Sequence, residues 1–298
     1  MASDTLPVAQ QLAAESAKVS VFLAAVGEDV LSRSVVGQDS LRDIWALRFL
    51  VGFKWQPLLA AEKFKTMVEY RVQFGIDNIR RRMQDGELVP SSFPGYSEHH
   101  AAYVHSTFDL GVSARGGNPV AIECPPRFHH DALLAIDGHT QDTYLMHVME
   151  WSFLQLDKAS IKSGDLIGYV KIFDCDGCTM KHCGLIRPWA QACSDRSKRL
   201  GFNIDECYPE WFSKVFVVNS PSFFTVIWKM IKPFLPARTA EKVEVLSNRA
   251  KAKDRMLKTI DPKALPAFLG GDFVGEWRME LDRSSPRNVD MAAMSHVQ

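Results

Sequence analysis

The sequence predicts an α/β protein in which a helical N-terminal unit precedes alternating strands and helices. Two observations indicate this fold class. Apolar residues recur at helical spacing between Asp39 and about Arg82, and beyond about residue 95 short apolar runs alternate with helical segments. The composition is that of a folded chain, because 46% of the 298 residues are hydrophobic and 23% are charged.

Charge and composition argue against several classes of protein. The chain has 35 Lys and Arg residues against 35 Asp and Glu residues, so we expect no broad surface for binding nucleic acid. Neither an export signal nor an apolar run of membrane-spanning length is visible. We therefore expect a cytoplasmic protein whose six cysteines are reduced thiols.

The N-terminal module is predicted to comprise residues 1–95. Pro7 is placed to precede or open a first helix, and two further apolar stripes lie within 39–82. Gly75 is placed to end the second of these helices. The stretch 89–95 contains two prolines and a glycine, which indicates a boundary between two units.

The predicted sheet lies within residues 96–274. A strand hairpin is expected where Arg115-Gly-Gly-Asn118 joins 103–110 to 119–123, since glycine tolerates the positive φ of a tight turn. The remaining elements alternate along the chain. Helices are predicted over 131–162, 183–200, 222–235 and 247–258, and strands over 166–173, 214–218 and 242–246. The polar tail 275–298 shows no periodicity and is expected to be mobile.

No motif of a common enzyme class is present. The segment 111–116 resembles a nucleophile elbow, but its second glycine follows Ser113 by three residues instead of two. Neither a phosphate-binding glycine loop nor the HExxH motif of zinc proteases occurs. We therefore predict a protein that is not an enzyme and that needs no cofactor or metal.

Cys175-Asp-Gly-Cys178, followed by His182, has the C-x2-C spacing of a zinc knuckle. No second ligand pair accompanies it, because Cys193 and Cys207 are single and far apart. Asp-Gly is also ordinary turn chemistry. A turn with inert thiols is therefore the favoured interpretation, with a metal site or a redox-active pair as the alternatives.

Segment 222–235 is apolar around most of a helix circumference. Such a helix is either buried on every side or faces lipid. A core helix remains one interpretation, but Lys229 and Lys232 place cations beside the apolar surface, which is typical of a membrane interface. Residues 228–258 hold nine basic and three acidic side chains, so contact with an anionic membrane and a solvated helix face both remain open.

Several separated stretches, taken in order and spacing, resemble the CRAL-TRIO lipid-transfer proteins. They are Tyr208-Pro-Glu-Trp-Phe with Asn219-Ser-Pro221, Lys232-Pro-Phe-Leu235, and Leu265-Pro-Ala-Phe-Leu-Gly-Gly271, while Arg48-Phe-Leu50 and Arg71-x-x-Phe-Gly75 resemble the family's N-terminal helical module. The resemblance covers about residues 38–274. It implies a helical bundle followed by a lipid-binding domain, in which a mostly parallel sheet floors a hydrophobic pocket closed by a gate helix.

By this resemblance, segment 222–235 is the gate helix. A surface that seals a pocket when closed and faces lipid when open has to be apolar nearly all round, as this one is. Ser220-Pro221 and Pro233 are placed to be its hinges, because proline interrupts a helix. The apolar residues assigned to the gate and pocket are Phe223, Phe224, Ile227, Trp228, Ile231 and Phe234.

The resemblance also implies contacts to a lipid head group. Thr239 and Lys242 fall where phosphatidylinositol-binding members contact phosphate, and Arg238 falls where the tocopherol carrier has a basic phosphoinositide contact. A hydroxyl beside cations suits phosphate. Arg199 replaces the acidic residue that helps bind inositol, so this position departs from the family pattern.

Two further departures lie on the predicted strand 166–173. Tyr169 and Lys171 replace the Ser and Thr that hold the phosphatidylcholine head group, and alternation puts them on one face with Phe173. A buried ammonium must be paired or lose its proton. Either Lys171 and Tyr169 meet a polar or anionic part of the ligand, or Lys171 forms an internal ion pair with an acid such as Glu123.

These residues together predict a cytosolic lipid carrier. We expect it to bind a phospholipid, phosphatidylinositol or a phosphoinositide, as a monomer that contacts anionic membranes transiently. Two alternatives stay open, a carrier of a small isoprenoid lipid resembling tocopherol or retinoid, and a lipid-sensing adaptor for a lipid kinase. Besides the bound lipid, neither a cofactor nor a nucleic-acid partner is expected.

Overall fold

A computed structural model describes residues 6–102, 106–107, 114, 116–234 and 237–273 of the chain. The predicted tail 275–298 therefore lies outside the described residues, as do most of the predicted strand 103–110 and the segment around Ser113. Within the described residues, no helix combines the length and the apolar character that crossing a membrane requires.

The sheet has five strands in sequence order, β1 to β5. They are β1 Ser106–Thr107, β2 Val120–Glu123, β3 Tyr169–Asp174, β4 Phe212–Val218 and β5 Val243–Leu246. β1 pairs antiparallel with β2, as the predicted hairpin requires, and Gly116 and Gly117 in the connection both have positive φ. β2 to β5 are mutually parallel, which confirms the mostly parallel sheet.

Helices surround the sheet and form the N-terminal unit. The N-terminal ones are α1 Val8–Ala14, α2 Ser16–Val26, α3 Glu28–Leu31, α4 Asp39–Gly52, α5 Pro57–Gln73, α6 Ile76–Gln84 and α7 Tyr96–Ala102. The others are α8 His130–Ala135, α9 Gly138–Ser163, α10 Met180–Gly184, α11 Ile186–Leu200, α12 Ile204–Cys207, α13 Phe224–Ile231, α14 Ala237–Glu241 and α15 Arg249–Thr259. Short 3-10 turns lie between several of them.

The helix predicted over 131–162 is two helices, and this prediction is wrong at one point. The Asp137 carboxylate accepts hydrogen bonds from the backbone N–H groups of His139 and Thr140, at 3.0 and 3.1 Å, and so caps α9. Ile136 is extended, which ends α8. An N-cap inside an apolar pattern interrupts a helix without changing the spacing of its apolar residues.

The other predicted helices and strands are present with shifted ends. The predicted helix 183–200 is preceded by a separate short helix, α10. The gate segment is shorter than predicted, because α13 covers only 224–231 and a 3-10 turn, 232–234, follows at Pro233. Gly75 adopts a left-handed conformation just beyond α5, as predicted.

The two faces of the sheet have different neighbours. One face packs on α15 and on the segment 260–269, through side chains such as Val170, Ile172 and Phe216. The opposite face carries Tyr169, which packs near α9, and the strand residues that pack against α13. The functional residues predicted on β3 therefore belong to the face that α9 and α13 cover.

The N-terminal helices share their core with later elements. Phe22, Trp45 and Phe64 belong to one buried cluster with Phe153 of α9 and with Tyr208, which follows α12. Trp45 and Phe153 have ring centroids 5.5 Å apart, and Phe153 and Tyr208 4.9 Å apart. Aromatic pairs at these distances add to the stabilisation from burial. The predicted division at residue 95 stays a prediction.

Candidate functional site

Lys171 lies near the middle of β3 and its side chain is buried, with 3% of the residue exposed. Its ammonium forms an ion pair with the carboxylate of Glu123 on the neighbouring strand β2. The Nζ atom also lies 5.5 Å from the ring centroid of Phe173, the next residue on the same face. The structure thus contains the internal ion pair with Glu123, which was one of the two interpretations of this lysine.

The alternation predicted for β3 is confirmed by the burial of its side chains. Val170 and Ile172 belong to the cluster under α15, whereas Tyr169 and Phe173 belong to the clusters on the opposite face. Lys171, which lies between Tyr169 and Phe173 in the alternation, is on that opposite face. A charged pair is therefore built into an otherwise apolar face of the sheet.

α13 covers part of this face. Phe224 and Ile227 are buried and lie in one cluster with Val217 of β4 and Cys175 beyond β3. Three further predicted gate residues are less buried and pack against the same cluster, namely Phe223, Trp228 and Ile231. Phe234 is the last residue of the 3-10 turn that follows α13. Five of the six predicted gate residues, all but Phe234, are thus brought together on the sheet.

The outer surface of α13 is also apolar. Val226 is 59% exposed and Met230 is 45% exposed. Lys229 and Lys232 are exposed beside them. The helix thus presents apolar side chains to the sheet and to solvent at once.

Ser220, at the predicted hinge before the helix, is buried, and its hydroxyl lies 3.1 Å from the hydroxyl of Ser247.

Arg238, Thr239 and Lys242 lie together on and after α14, close to the start of β4. The Lys242 ammonium donates to the carboxylate of Glu210 and to the backbone carbonyl of Phe212, the latter at 2.7 Å. The backbone N–H of Lys242 donates to the carbonyl of Thr239 at 3.1 Å. These two predicted head-group residues are neighbours, and the cation already has protein acceptors.

Arg238 is held by a carbonyl and an aromatic ring. Its guanidinium donates to the backbone carbonyl of Asp205 at 2.6 Å and lies 4.9 Å from the ring centroid of Phe53. Burial lowers the pKa of Arg238, while the carboxylate of Glu210 acts in the opposite direction. An arginine in this environment keeps its charge, because its ordinary pKa is so high.

The contacts described for Arg199 are with a different element from those of the other predicted head-group residues. It lies near the end of α11, where its guanidinium donates to both carboxylate oxygens of Asp142 on α9, at 2.8 and 3.0 Å. The hydrogen bond to Asp142 raises the pKa of Arg199. Arg196, one turn earlier, donates to the same carboxylate at 3.1 Å. The described contacts of Arg199 therefore join α11 to α9 and do not involve β3 or α14.

Sequence reasoning missed a buried ionic network between the N-terminal helices and α9. Glu150 of α9 accepts two hydrogen bonds from Arg71, at 2.9 and 3.0 Å, and one from Arg80 at 2.9 Å. Tyr208 donates its hydroxyl to the same carboxylate at 2.8 Å. Glu150 and both arginines are almost completely buried. The paired contacts satisfy charges that would otherwise be costly to bury.

The network extends to Asp157, two turns further along α9. Its carboxylate accepts from Arg80 at 2.7 Å and from the indole N–H of Trp45 at 3.0 Å. Arg48 lies 3.5 Å from the same carboxylate and donates to the backbone carbonyls of Ile167 and Glu210, at 3.0 and 3.2 Å. Arg48 thus connects α4 to the segments that lead into β3 and β4.

Cys175 to Cys178 form a turn directly after β3. The backbone N–H of Cys178 donates to the carbonyl of Cys175 at 2.9 Å, and Gly177 has a φ of +84°. The residues that the structure describes contain no cluster of three or more His, Cys, Asp or Glu side chains able to hold a metal. The predicted turn is therefore present, whereas the reactivity of its two thiols stays a prediction.

A cavity of about 250 Å³ lies on the opposite side of the sheet from α13. Arg249 and Lys253 of α15 line it together with Asn219 and the apolar side chains of 267–269. Its volume is below the range of about 300–1,000 Å³ that is usual for small-molecule sites. None of the predicted gate or head-group residues lines it.

Comparison with known proteins places this architecture in a family. Residues 116–271 match the model of the CRAL/TRIO domain. The phosphatidylinositol/phosphatidylcholine transfer protein SFH12 of Arabidopsis thaliana is 29% identical over 232 residues, which cover 76% of the chain but only 38% of that relative. The chain thus spans little more than a third of the length of this curated relative.

A second relative has a length similar to that of the chain. The Sec14 cytosolic factor of Schizosaccharomyces pombe (strain 972 / ATCC 24843) is 26% identical over 253 residues, covering 83% of the chain and 81% of the relative. Among solved structures, the crystal structure of Sfh5 aligns with 71% of the chain and 66% of that protein, at 17% identity and a TM-score of 0.48. The match of the domain model to more than half of the sequence establishes that this chain belongs to the CRAL/TRIO family.

Proposed function

We propose that the chain binds a phospholipid, phosphatidylinositol or a phosphoinositide, between α13 and the sheet face that carries Lys171, and exchanges it between membranes. The observation that carries this proposal is the double apolar surface of α13. Phe224 and Ile227 face the sheet, while Val226 and Met230 face solvent. Membership of the family and similarity to the phosphatidylinositol/phosphatidylcholine transfer protein SFH12 support the same activity.

The physical requirement is that a lipid leaves the bilayer without exposing its chains to water. Burying an acyl chain stabilises the complex by about 0.8 kcal/mol for each CH2 group, so a two-chain lipid needs an apolar enclosure. α13 provides one wall, and its opening at a membrane would expose Phe224 and Ile227 to lipid. Lys229 and Lys232 would then lie near anionic head groups.

Thr239, Lys242 and Arg238 are the proposed head-group residues. A hydroxyl with two neighbouring cations can bind a phosphate through charge-assisted hydrogen bonds. Lys242 would have to exchange its contact with Glu210 for the phosphate, and this exchange would make binding depend on the position of Glu210. Tyr169 and Lys171 are proposed to line the ligand space on β3, whereas we propose that Arg199 serves the α9–α11 contact.

The test is transfer of labelled phosphatidylinositol from donor to acceptor liposomes. Val226→Asp should slow transfer about tenfold, because a valine that is 59% exposed would contribute about 1–2 kcal/mol when it enters lipid. Val72→Asp on α5 is the matched control, since Val72 is 51% exposed far from α13 in sequence, and it should transfer at the wild-type rate.

Two outcomes would contradict the proposal. If the wild-type chain transfers no phospholipid, the exchange activity is absent. If Val226→Asp and Val72→Asp transfer equally fast, α13 is not the surface that meets the membrane. Because both variants introduce one aspartate, a difference between them reflects the position of the substitution and not the added charge.

A second candidate is a carrier of a small isoprenoid lipid. The Lys171–Glu123 ion pair favours it, since the buried ammonium already has a counter-ion and the ligand need not supply an anion on this face. Mass spectrometry of the lipid extracted from the purified chain distinguishes the two candidates. An isoprenoid without phosphorus in the extract would replace the phospholipid proposal.

A further inference from the structure

Two cysteines share one turn at the carboxyl end of β3. Cys175 follows the last residue of the strand, and the backbone N–H of Cys178 donates to its carbonyl at 2.9 Å. A turn closed in this way keeps its first and fourth Cα atoms within about 7 Å. A disulfide bridges Cα atoms that are usually about 4.4–6.8 Å apart. The turn thus holds the two cysteines at a separation that a disulfide can span.

The same thiols are part of the packing beneath α13. Cys175 is buried in one cluster with Val217, Phe224 and Ile227. Cys178 is partly buried and packs against that cluster. A change in the bonding of these sulfur atoms therefore changes the surface on which the first turn of α13 rests.

We propose that Cys175 and Cys178 are a reversible dithiol–disulfide pair that exchanges with low-molecular-weight disulfides such as oxidised glutathione and alters the packing of α13. In the first step, the Cys178 thiolate attacks one sulfur of glutathione disulfide. The glutathione S–S bond breaks, a mixed disulfide forms, and the released glutathione thiolate takes up the proton that Cys178 lost.

In the second step, Cys175 loses its proton and its thiolate attacks the Cys178 sulfur. The mixed disulfide breaks, the Cys175–Cys178 bond forms, and the second glutathione thiolate leaves and is protonated. Two protein thiols are oxidised and one glutathione disulfide is reduced to two thiols. Burial raises the pKa of the Cys175 thiol, so this step needs transient exposure of Cys175 from beneath α13.

Cys124 is the competing partner for Cys175. It follows β2, the strand beside β3, and burial raises the pKa of its thiol to about 12. Charge on Cys124 would raise the pKa of the Cys175 thiol, although burial is the largest cause of that rise. Cys124 is not part of the turn, however, and both it and Cys175 are buried, so neither provides the accessible thiolate that starts the exchange.

The experiment equilibrates the full chain in glutathione buffers of increasing oxidation, alkylates the remaining thiols and digests the protein with trypsin. Cleavage after Lys171 and Lys181 yields peptide 172–181, which contains Cys175 and Cys178 and no other cysteine. We expect this peptide to appear without alkylation and lacking two hydrogens, and to regain both alkylation sites after treatment with dithiothreitol.

Matched variants make the assignment specific. Cys193→Ser removes an exposed thiol and should leave formation of the disulfide peptide unchanged, whereas Cys178→Ser should abolish it. The proposal is overturned if both thiols stay alkylated in every buffer. It is also overturned if Cys175 is recovered linked to the peptide that carries Cys124.

A second measurement tests the effect on α13 and needs no lipid, so it is independent of the proposed function. Lys229 is exposed on α13, and brief trypsin treatment cleaves after it when the helix opens. The oxidised chain should be cleaved there roughly threefold faster or more, because Cys178 is drawn away from its packing. Equal cleavage rates of the oxidised and reduced wild-type chain would exclude the coupling to α13.

Discussion

Replacing Glu150 with glutamine tests whether the buried ionic network holds the N-terminal helices to α9. Glu150 is completely buried and receives hydrogen bonds from Arg71, Arg80 and Tyr208. Burial opposes its ionisation, but the two arginines outweigh burial and lower the pKa of Glu150 from 4.5 to about 2. At 1.36 kcal/mol for each pKa unit, the network stabilises the fold by about 3 kcal/mol through this carboxylate.

Glu150→Gln should therefore reduce the free energy of unfolding by about 3 kcal/mol, which agrees with the 3–5 kcal/mol typical of a broken buried ion pair. Urea unfolding at pH 7 with linear extrapolation measures it. Glu62→Gln is the control, since the Glu62 side chain is 69% exposed and its loss should cost less than about 1 kcal/mol.

The pH dependence gives the same prediction a second measurement. Because folding lowers the pKa of Glu150, its contribution is complete above the unfolded value near 4.5 and is lost as the pH falls toward 2. The difference between wild type and Glu150→Gln should shrink over that range. A loss at pH 7 no larger than that of Glu62→Gln would refute the reasoning.

Three further predictions concern other parts of the fold. Lys171→Met should lower the free energy of unfolding in urea by several kcal/mol, because it leaves Glu123 without its cation. Glu123→Gln in the same chain should restore most of that loss, whereas losses that simply add would contradict the pairing. Burial lowers the pKa of His99, so thermal stability should fall as the pH drops below about 6.5. His99→Phe should weaken this pH dependence, and an equal change of melting temperature with pH in both proteins would exclude His99 as its source. Gly271→Ala should cost about 1–3 kcal/mol because the new Cβ would lie 1.9 Å from the carbonyl oxygen of Leu265, while Gly184→Ala, with open space around it, should be neutral in the same unfolding measurement.

The parallel sheet could be predicted because its strands are short apolar runs separated by helical patterns. β3 illustrates this, since the alternation along 169–173 correctly divides its side chains between two faces. The break in front of α9 could not be predicted from spacing, because Asp137 starts a new helix as its N-cap while the apolar pattern continues. Before Asp39 the sequence predicted only a first helix, which α1 after Pro7 confirms, while α2 and α3 were not predicted individually.

The apolar circumference of α13 was predictable from the sequence, whereas its role as a gate stays a prediction. A helix that is apolar all round is either buried on every side or faces lipid, and the structure leaves Val226 and Met230 of this helix exposed. The ionic network was not predictable in the same way, because arginine and glutamate are usually exposed. The one available signal is the seven-residue spacing of Glu150 and Asp157, which places both carboxylates on one side of α9.

The most direct test of the account is mass spectrometry of the lipid bound to the chain after incubation with mixed liposomes and re-isolation. We predict a single phospholipid molecule for each chain, with phosphatidylinositol or a phosphoinositide enriched over its share in the liposomes. A re-isolated chain that carries no lipid of any class would contradict the central claim, that α13 and the sheet enclose a lipid.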